Sequence, residues 1–224
     1  MTVKLLVFLT IGTIAMGIPL VYMANNYGIS KGKAIFLTFI LTIVGTVGTF
    51  LMYYVENQCW GGLSFYGAVF LVPAVFLIVA PILRITYSKA MDFCAVGECV
   101  MLALMKVHCM MGGCCLGRTL FEMSDGTVIR FPSRLVEMAV AIILFAILFG
   151  FSRKRLKRGG LYPWYMLMYG STRFFLNMLR EVWVEKTMLL PFGNIWSLCA
   201  VVIGGMWLVK NSKKNTVYSC GDKE

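Results

Sequence analysis

The sequence predicts an all-α polytopic membrane protein with about seven transmembrane helices. Three observations point there: 59% of the 224 residues are apolar, only 14% are charged, and the mean hydropathy is +0.80. Soluble domains hold about 45–50% apolar and about 25% charged residues, so water is not this chain's solvent. Sixteen Met, sixteen Phe, ten Tyr and five Trp exclude a disordered, collagen-like or coiled-coil chain. The net charge of +11 suits anionic lipid and membrane orientation rather than nucleic acid, because the Lys and Arg are scattered between apolar runs.

A spanning helix needs about 20 mostly apolar residues. Five stretches satisfy this cleanly, at 3–24, 34–55, 62–83, 135–151 and 188–209. The first is too long for a signal-peptide core and lacks a closing small-residue cleavage site, so it is read as a span. Two more carry charge: 92–111 holds Asp92, Glu98, Lys106 and His108, and 160–180 holds Arg173 and Arg180. Charges within spans are rare, so function is sought in these two.

With seven spans the termini lie on opposite sides. Thirteen of the 21 Lys and Arg then fall on one side and six on the other, which places the N-terminus outside and the C-terminus in the cytoplasm. The Arg-Lys-Arg-Leu-Lys-Arg run at 153–158 anchors this choice. Residues 1–210 read as one transmembrane domain and 211–224 as a flexible cytoplasmic tail. The longest outer loop, 112–133, carries Asp125-Gly126 before Thr127-Val128-Ile129, the pattern of a short hairpin.

In helix α-geometry Tyr169, Arg173, Asn177 and Arg180 fall on one stripe. An Arg at membrane depth costs about 2.5–3.5 kcal/mol on insertion scales, and its planar fork matches phosphate, so a phospholipid headgroup is the natural partner. The alternative is structural: Arg173 pairs with Glu98 or Glu137, and Arg180 snorkels to the interface.

A second constellation runs from Lys106 through His108, Cys109, Gly112, Gly113, Cys114, Cys115 and Gly117 to Arg118. It leads a charged helix into a Gly-rich exit where backbone amides can meet an anionic headgroup. His108 is the chain's one histidine; it is either a packed side chain or a proton acceptor, the task for which imidazole is suited near neutrality. Cys114 and Cys115 are adjacent and seldom bridge each other, though a bridge to Cys109 or Cys59 remains open. They supply a reactive thiolate beside Lys106 or Arg118, or small residues for a tight turn. Cys94, Cys99, Cys109 and Cys199 read as small buried hydrophobes.

A third, weaker constellation is Gly61-Gly62-Leu63-Ser64-Phe65-Tyr66-Gly67-Ala68, whose small residues allow close helix approach while Tyr66 projects a phenol. Pro132-Ser133-Arg134 opens the fifth helix with Glu137 just inside, either a partner for Arg173 or a first-turn acid. One His and scattered Cys do not make a coordination set, so neither metal nor cofactor is expected.

Taken together these segments resemble the prolipoprotein diacylglyceryl transferase family of bacterial membrane enzymes, along nearly the whole chain. Gly61 to Ala68 is similar to its Gly-Gly-x-Ser-Phe-His-Gly-Gly motif. Asp92-Phe93 stands where the family has Asp-Phe, and Lys106 to Arg118 follows Arg-x-Gly-Asn-Phe-x-Asn-Gly-Glu-x-x-Gly-Arg without a gap. Pro132 to Glu137 resembles Pro-Ser-Gln-Leu-Tyr-Glu, and Tyr169 to Arg180 resembles Tyr-Gly-x-x-Arg-Phe-x-x-Glu-x-x-Arg. Gly193-Asn194 echoes a Gly-Gln pair of the last helix. The family also has seven helices and an outer N-terminus. The departures are Lys106 for Arg, Cys109 and Gly112 for Asn, Cys114 for Glu, Tyr66 for His, and Asn177 for Glu, with His108 at a Gly position.

The resemblance implies transfer of a diacylglyceryl group from phosphatidylglycerol, or a similar anionic phospholipid, to a thiol-bearing or other acceptor with release of glycerol phosphate. In such a site Arg173, with Lys106 assisting, holds the phosphate, His108 replaces the base, and Tyr66 orients it or the headgroup. Tyr169, Arg180, Arg118, Gly113, Gly117, Glu137, Asn177 and Cys114 complete the expected substrate-binding set. The expected location is the bacterial plasma membrane with the site facing outward. Two other readings stand: a membrane thiol-disulfide oxidoreductase using Cys59, Cys109, Cys114 and Cys115, and a non-catalytic lipid-binding or lipid-moving protein.

Overall fold

A computed structural model describes residues 2–113, 115–124, 127–153, 160–180 and 192–221, with side chains described from residue 6 and up to 212. Cys114, the Asp125-Gly126 pair, 154–158 of the basic run and residues 181–191 lie outside the described residues.

The apolar runs form helices α1 (Thr2–Tyr27), α2 (Lys31–Asn57), α3 (Tyr66–Ile82), α4 (Tyr87–Gly112), α5 (Ser133–Arg153), α6 (Leu161–Met178) and α7 (Phe192–Gly221). Five of them, α1, α2, α4, α5 and α7, are long and apolar enough to cross a membrane. The α3 helix has 17 residues and α6 carries Arg173 among tyrosines. Helix α7 passes residue 210, the expected boundary of the transmembrane unit, and ends at Gly221. The fold is not purely helical: the loop after α4 holds an antiparallel hairpin of β1 (Thr119–Glu122) and β2 (Val128–Arg130), pairing Thr119 with Arg130, Phe121 with Ile129 and Glu122 with Val128.

Helix ends follow local chemistry. Ser30 precedes α2 and accepts from the Lys33 backbone N–H at 3.5 Å, and Gln58 closes that helix in the left-handed region at φ 52°. The segment 58–65, whose last four residues were expected in the third span at 62–83, is not helical: it turns back so that the Ser64 N–H donates to Thr49 O at 3.0 Å. At the other end of the bundle lysines serve as caps. Lys33 Nζ donates to Leu83 O beyond α3 at 2.8 Å, and Lys89 Nζ to Tyr27 O at the end of α1 at 3.1 Å, where a cation meets the helix dipole favourably. Asp92 accepts from the first backbone N–H of α6, at Leu161 (2.9 Å), and from Tyr27 Oη (3.0 Å). One carboxylate thereby starts a helix and ties α1, α4 and α6 together.

Between helices the contacts are made by small residues, as hydrocarbon solvent requires. A Cβ on Gly67 would lie 1.8 Å from Gly48 O, and one on Gly170 would lie 2.8 Å from Ser197 O. The interior is filled by wholly buried Phe76, Phe93, Tyr162, Tyr165 and Met91, while Ile14, Ile18, Ile78, Ile82 and Phe175 project outward. An outer surface this apolar belongs against lipid. Phe8 packs against His108, Tyr66 reaches Ser197, and Arg134 reaches Cys109 O. The starts of the odd-numbered helices therefore meet the ends of the even-numbered ones, and the site lies at that end.

Candidate functional site

Three cations, two on helices and Arg180 just beyond the end of α6, converge on one carboxylate. Lys106 on α4 and Arg173 on α6 each form an ion pair with Glu137 Oε2 on α5, and Arg180 Nε lies 3.7 Å from Glu137 Oε1. Lys106 and Glu137 are 3% exposed and Arg173 is 12% exposed, so water screens little of this charge. Of the two partners open for Arg173 in the sequence, the structure selects Glu137. Glu98 instead accepts from Tyr162 Oη at 3.1 Å, deeper in the bundle. A second carboxylate, Glu56 on α2, accepts from Ser64 Oγ at 2.8 Å and lies within electrostatic reach of Arg173 and Arg180, so two carboxylates face three cations and one positive charge is left over.

Around Arg173 the walls are aromatic and polar. Tyr169 Oη, Arg173 Nε, Asn194 Oδ1 and Trp196 Nε1 are buried and have no hydrogen-bond partner among the described residues. Each such atom costs about 1–3 kcal/mol when nothing satisfies it. Tyr66 donates to or accepts from Ser197 Oγ, which in turn donates to Gly193 O at 2.7 Å. The Tyr66 and Tyr169 rings are 5.8 Å apart. Asn177 is buried beside Gly193, where an added Cβ would meet its Nδ2 at 2.9 Å. The structure thus brings Lys106, Glu137, Tyr169, Arg173, Asn177, Arg180 and Tyr66 to one region. Asn194 and Trp196 were missed as site residues; their one signal was the Gly193-Asn194 echo.

The exit from α4 forms the rim. Gly113 takes φ +69° beyond α4, a conformation costly for other residues. Gly117 is buried under Phe131 O, where a Cβ would stand 1.9 Å away, and pairs with Arg180 as an isolated antiparallel bridge. The Arg118 N–H donates to Leu179 O at 2.9 Å, while its side chain is exposed outside the cluster. Arg134 Nη1 donates to Cys109 O (3.3 Å) and Met110 O (3.5 Å), satisfying carbonyls at the end of α4. Cys115 stands at φ 60° and its carbonyl accepts from Ser133 Oγ at 2.9 Å. The neighbouring Cys109 thiol, with Arg180 and Lys106, outweighs burial and lowers the Cys115 thiol to about 5.

His108 is not in the cation cluster. Two residues beyond Lys106 on α4 it is turned by about 200° and packs edge-on against Phe8, ring centroids 5.1 Å apart. There it lines an apolar cleft with Phe8, Leu41, Phe65, Met101 and Met105, and with Glu98. Phe65 links cleft and cluster, its ring 5.7 Å from Tyr169. Cys94 and Cys99 are buried as expected, Cys199 is half-buried, and Cys59 is exposed. No group of His, Cys, Asp and Glu among the described residues is arranged to hold a metal ion.

A bundle of long apolar helices with a cluster of ion-paired charges near one end and an apolar cleft beside it defines a helical membrane protein. The chain belongs to the prolipoprotein diacylglyceryl transferase family, whose model matches residues 6–210. It is similar to the phosphatidylglycerol–prolipoprotein diacylglyceryl transferase of Teredinibacter turnerae, 28% identical over 157 residues, covering 65% of this chain and 55% of that protein. It is also similar to those of Acinetobacter baumannii, 25% identical over 207 residues with 80% and 75% covered, and of Ehrlichia ruminantium, 27% identical over 159 residues with 64% and 61% covered.

Proposed function

We propose that this protein is a phospholipid-dependent transferase that moves a diacylglyceryl group from phosphatidylglycerol to a thiol acceptor and releases glycerol phosphate. The observation that carries this reading is the surplus of cation over anion at Glu137. Three cations gather here against the Glu137 carboxylate and the more peripheral Glu56, and a cation away from water is strongly unfavourable unless a counter-ion stands by it. A phosphodiester supplies it, and its acyl chains find the apolar cleft lined by Phe8, Leu41 and Met105.

The reaction forms a carbon–sulfur bond and breaks the carbon–oxygen bond to the departing phosphate. Negative charge accumulates on that phosphate, and preorganised guanidinium groups stabilise it without reorganisation. Arg173 supplies the fork, Lys106 and Arg180 the further charge, and Glu137 holds all three in place. Tyr169 and Tyr66 position the headgroup. The acceptor thiol reacts as its thiolate, and His108 takes that proton from the cleft side. Arg118, exposed on the loop, draws the anionic headgroup from the aqueous face. The site faces outward from the cytoplasmic membrane, in line with the excess of Lys and Arg at the opposite end.

The test is purified protein in phosphatidylglycerol liposomes, assayed for glycerol phosphate with and without a cysteine-bearing peptide. Release that depends on the peptide supports the transferase; lipid binding without release would leave only a lipid-binding protein.

A further inference from the structure

The sulfurs of Cys109, in the last turn of α4, and Cys115, just beyond its end, lie 4.0 Å apart in a sulfur–sulfur hydrogen bond. Two features of the chain hold them there. The left-handed turn at Gly113 and Cys115 folds the exit strand back over the helix end. Ser133 at the start of α5 then fixes the Cys115 carbonyl, and Arg134 fixes that of Cys109. The two thiols are thus placed by three neighbouring elements, and neither is needed for the ion-pair cluster. A disulfide requires about 2.05 Å between sulfurs, so closure asks for a movement of about 2 Å, within reach of side-chain rotation and a small shift of the turn.

The two ends of the pair are also unequal. Cys109 is 7% exposed, while Cys115 is half-buried on the rim, within electrostatic reach of Arg180, Lys106 and Glu137. An accessible sulfur beside cations attacks, and a sheltered sulfur next to it resolves; this asymmetry is what thiol–disulfide exchange uses.

The geometry points to Cys109 and Cys115 as a redox-active dithiol at the rim of the site, closed to an intramolecular disulfide by exchange with a disulfide-bearing oxidant. The Cys115 thiolate attacks one sulfur of the oxidant, forming a mixed disulfide and expelling a thiolate. The Cys109 sulfur then attacks Cys115 Sγ, its proton leaves with the second thiol of the oxidant, and the Cys109–Cys115 bond forms. The chain loses two electrons and the oxidant becomes two thiols. Closure removes the Cys115 negative charge and raises the surplus at Glu137 by one. The inference does not depend on the transferase reading.

The full chain in detergent is equilibrated with oxidised glutathione, its remaining thiols are blocked with N-ethylmaleimide, and the protein is reduced and labelled with iodoacetamide. Peptide 107–118 is then read by fragmentation, for the natural chain and for Cys114→Ser. The expected result in both is the second label on Cys109 and Cys115, lost when dithiothreitol precedes blocking. A second label confined to Cys114 and one partner, no second label, or a Cys114→Ser protein in which the pair stays reduced overturns the inference.

Discussion

Arg173 of α6 and Glu137 of α5 form an ion pair in the bundle interior, although either helix alone would leave its charge stranded in hydrocarbon. The pair is shared with Lys106 and approached by Arg180, so Glu137 acts less as a neutralising partner than as a post on which three cations are hung. Several consequences can be measured.

Arg173→Lys keeps the charge and loses the planar fork. We expect glycerol phosphate release to fall at least tenfold, about 1.4 kcal/mol or more of transition-state stabilisation, with the protein still folded. Full activity in this variant would remove Arg173 from the phosphate contact.

Glu137→Gln removes the anion paired with Lys106 and Arg173 and leaves Glu56 as the carboxylate near Arg173 and Arg180. Breaking a buried pair costs about 3–5 kcal/mol, a fall in Tm of roughly 6–20 °C for a chain of this size. Phosphatidylglycerol should restore part of the loss, because a ligand that binds the folded state supplies the missing charge. Thermal unfolding with and without lipid checks both halves; an unchanged Tm would mean that the three cations have another counter-ion.

Gly67→Ala drives a methyl into Gly48 O, 1.8 Å from the added Cβ. Helices α2 and α3 must separate, at a cost of about 1–3 kcal/mol, and Tyr66 moves with them. Gly32→Ala, at the start of α2 with nothing within 4 Å, is the control and should keep its Tm. Equal behaviour of the two variants would contradict the close packing.

The Cys115 thiol is lowered to about 5, so its thiolate is fully formed at neutral pH and is lost only as pH falls through that value. Its alkylation rate should therefore be flat from about pH 6.5 to 8.5, whereas an unperturbed thiol near 8.5 gains roughly tenfold or more over that range. Iodoacetamide labelling followed site by site reads this directly. A slope parallel to that of an ordinary thiol would show that the Cys109 hydrogen bond, with Arg180 and Lys106, does not hold Cys115 as its thiolate.

Much of the fold was legible because lipid is a demanding solvent: the apolar runs mark every helix, and only their ends moved. The third span, expected from 62, starts at Tyr66 because Gly62 to Phe65, though apolar enough for lipid, turn instead. Tyr169, Arg173 and Asn177 form a stripe visible from helical spacing alone, since they share α6; Arg180, expected on the same stripe, stands beyond the end of α6 and pairs with Gly117 instead. That Glu137 gathers cations from α4 and α6 was not visible, because three helices must be placed before their charges meet. His108 illustrates the same limit. Nearness to Lys106 in sequence suggested a shared site, yet about 100° of rotation per residue puts it against Phe8. Asn194 carries one sequence signal, the Gly193-Asn194 echo, and the unsatisfied buried atoms of Asn194 and Trp196 become visible only in the folded bundle.

The lysines at the far end do two jobs at once. Lys33 and Lys89 belong to the basic excess from which sidedness is read, and each also holds a terminal carbonyl of a neighbouring helix, at Leu83 and Tyr27. Moving such charges to invert the protein in its bilayer would therefore fray α1 and α3 as well. Insertion direction and helix integrity are written in the same side chains here, and evolution cannot revise one without editing the other.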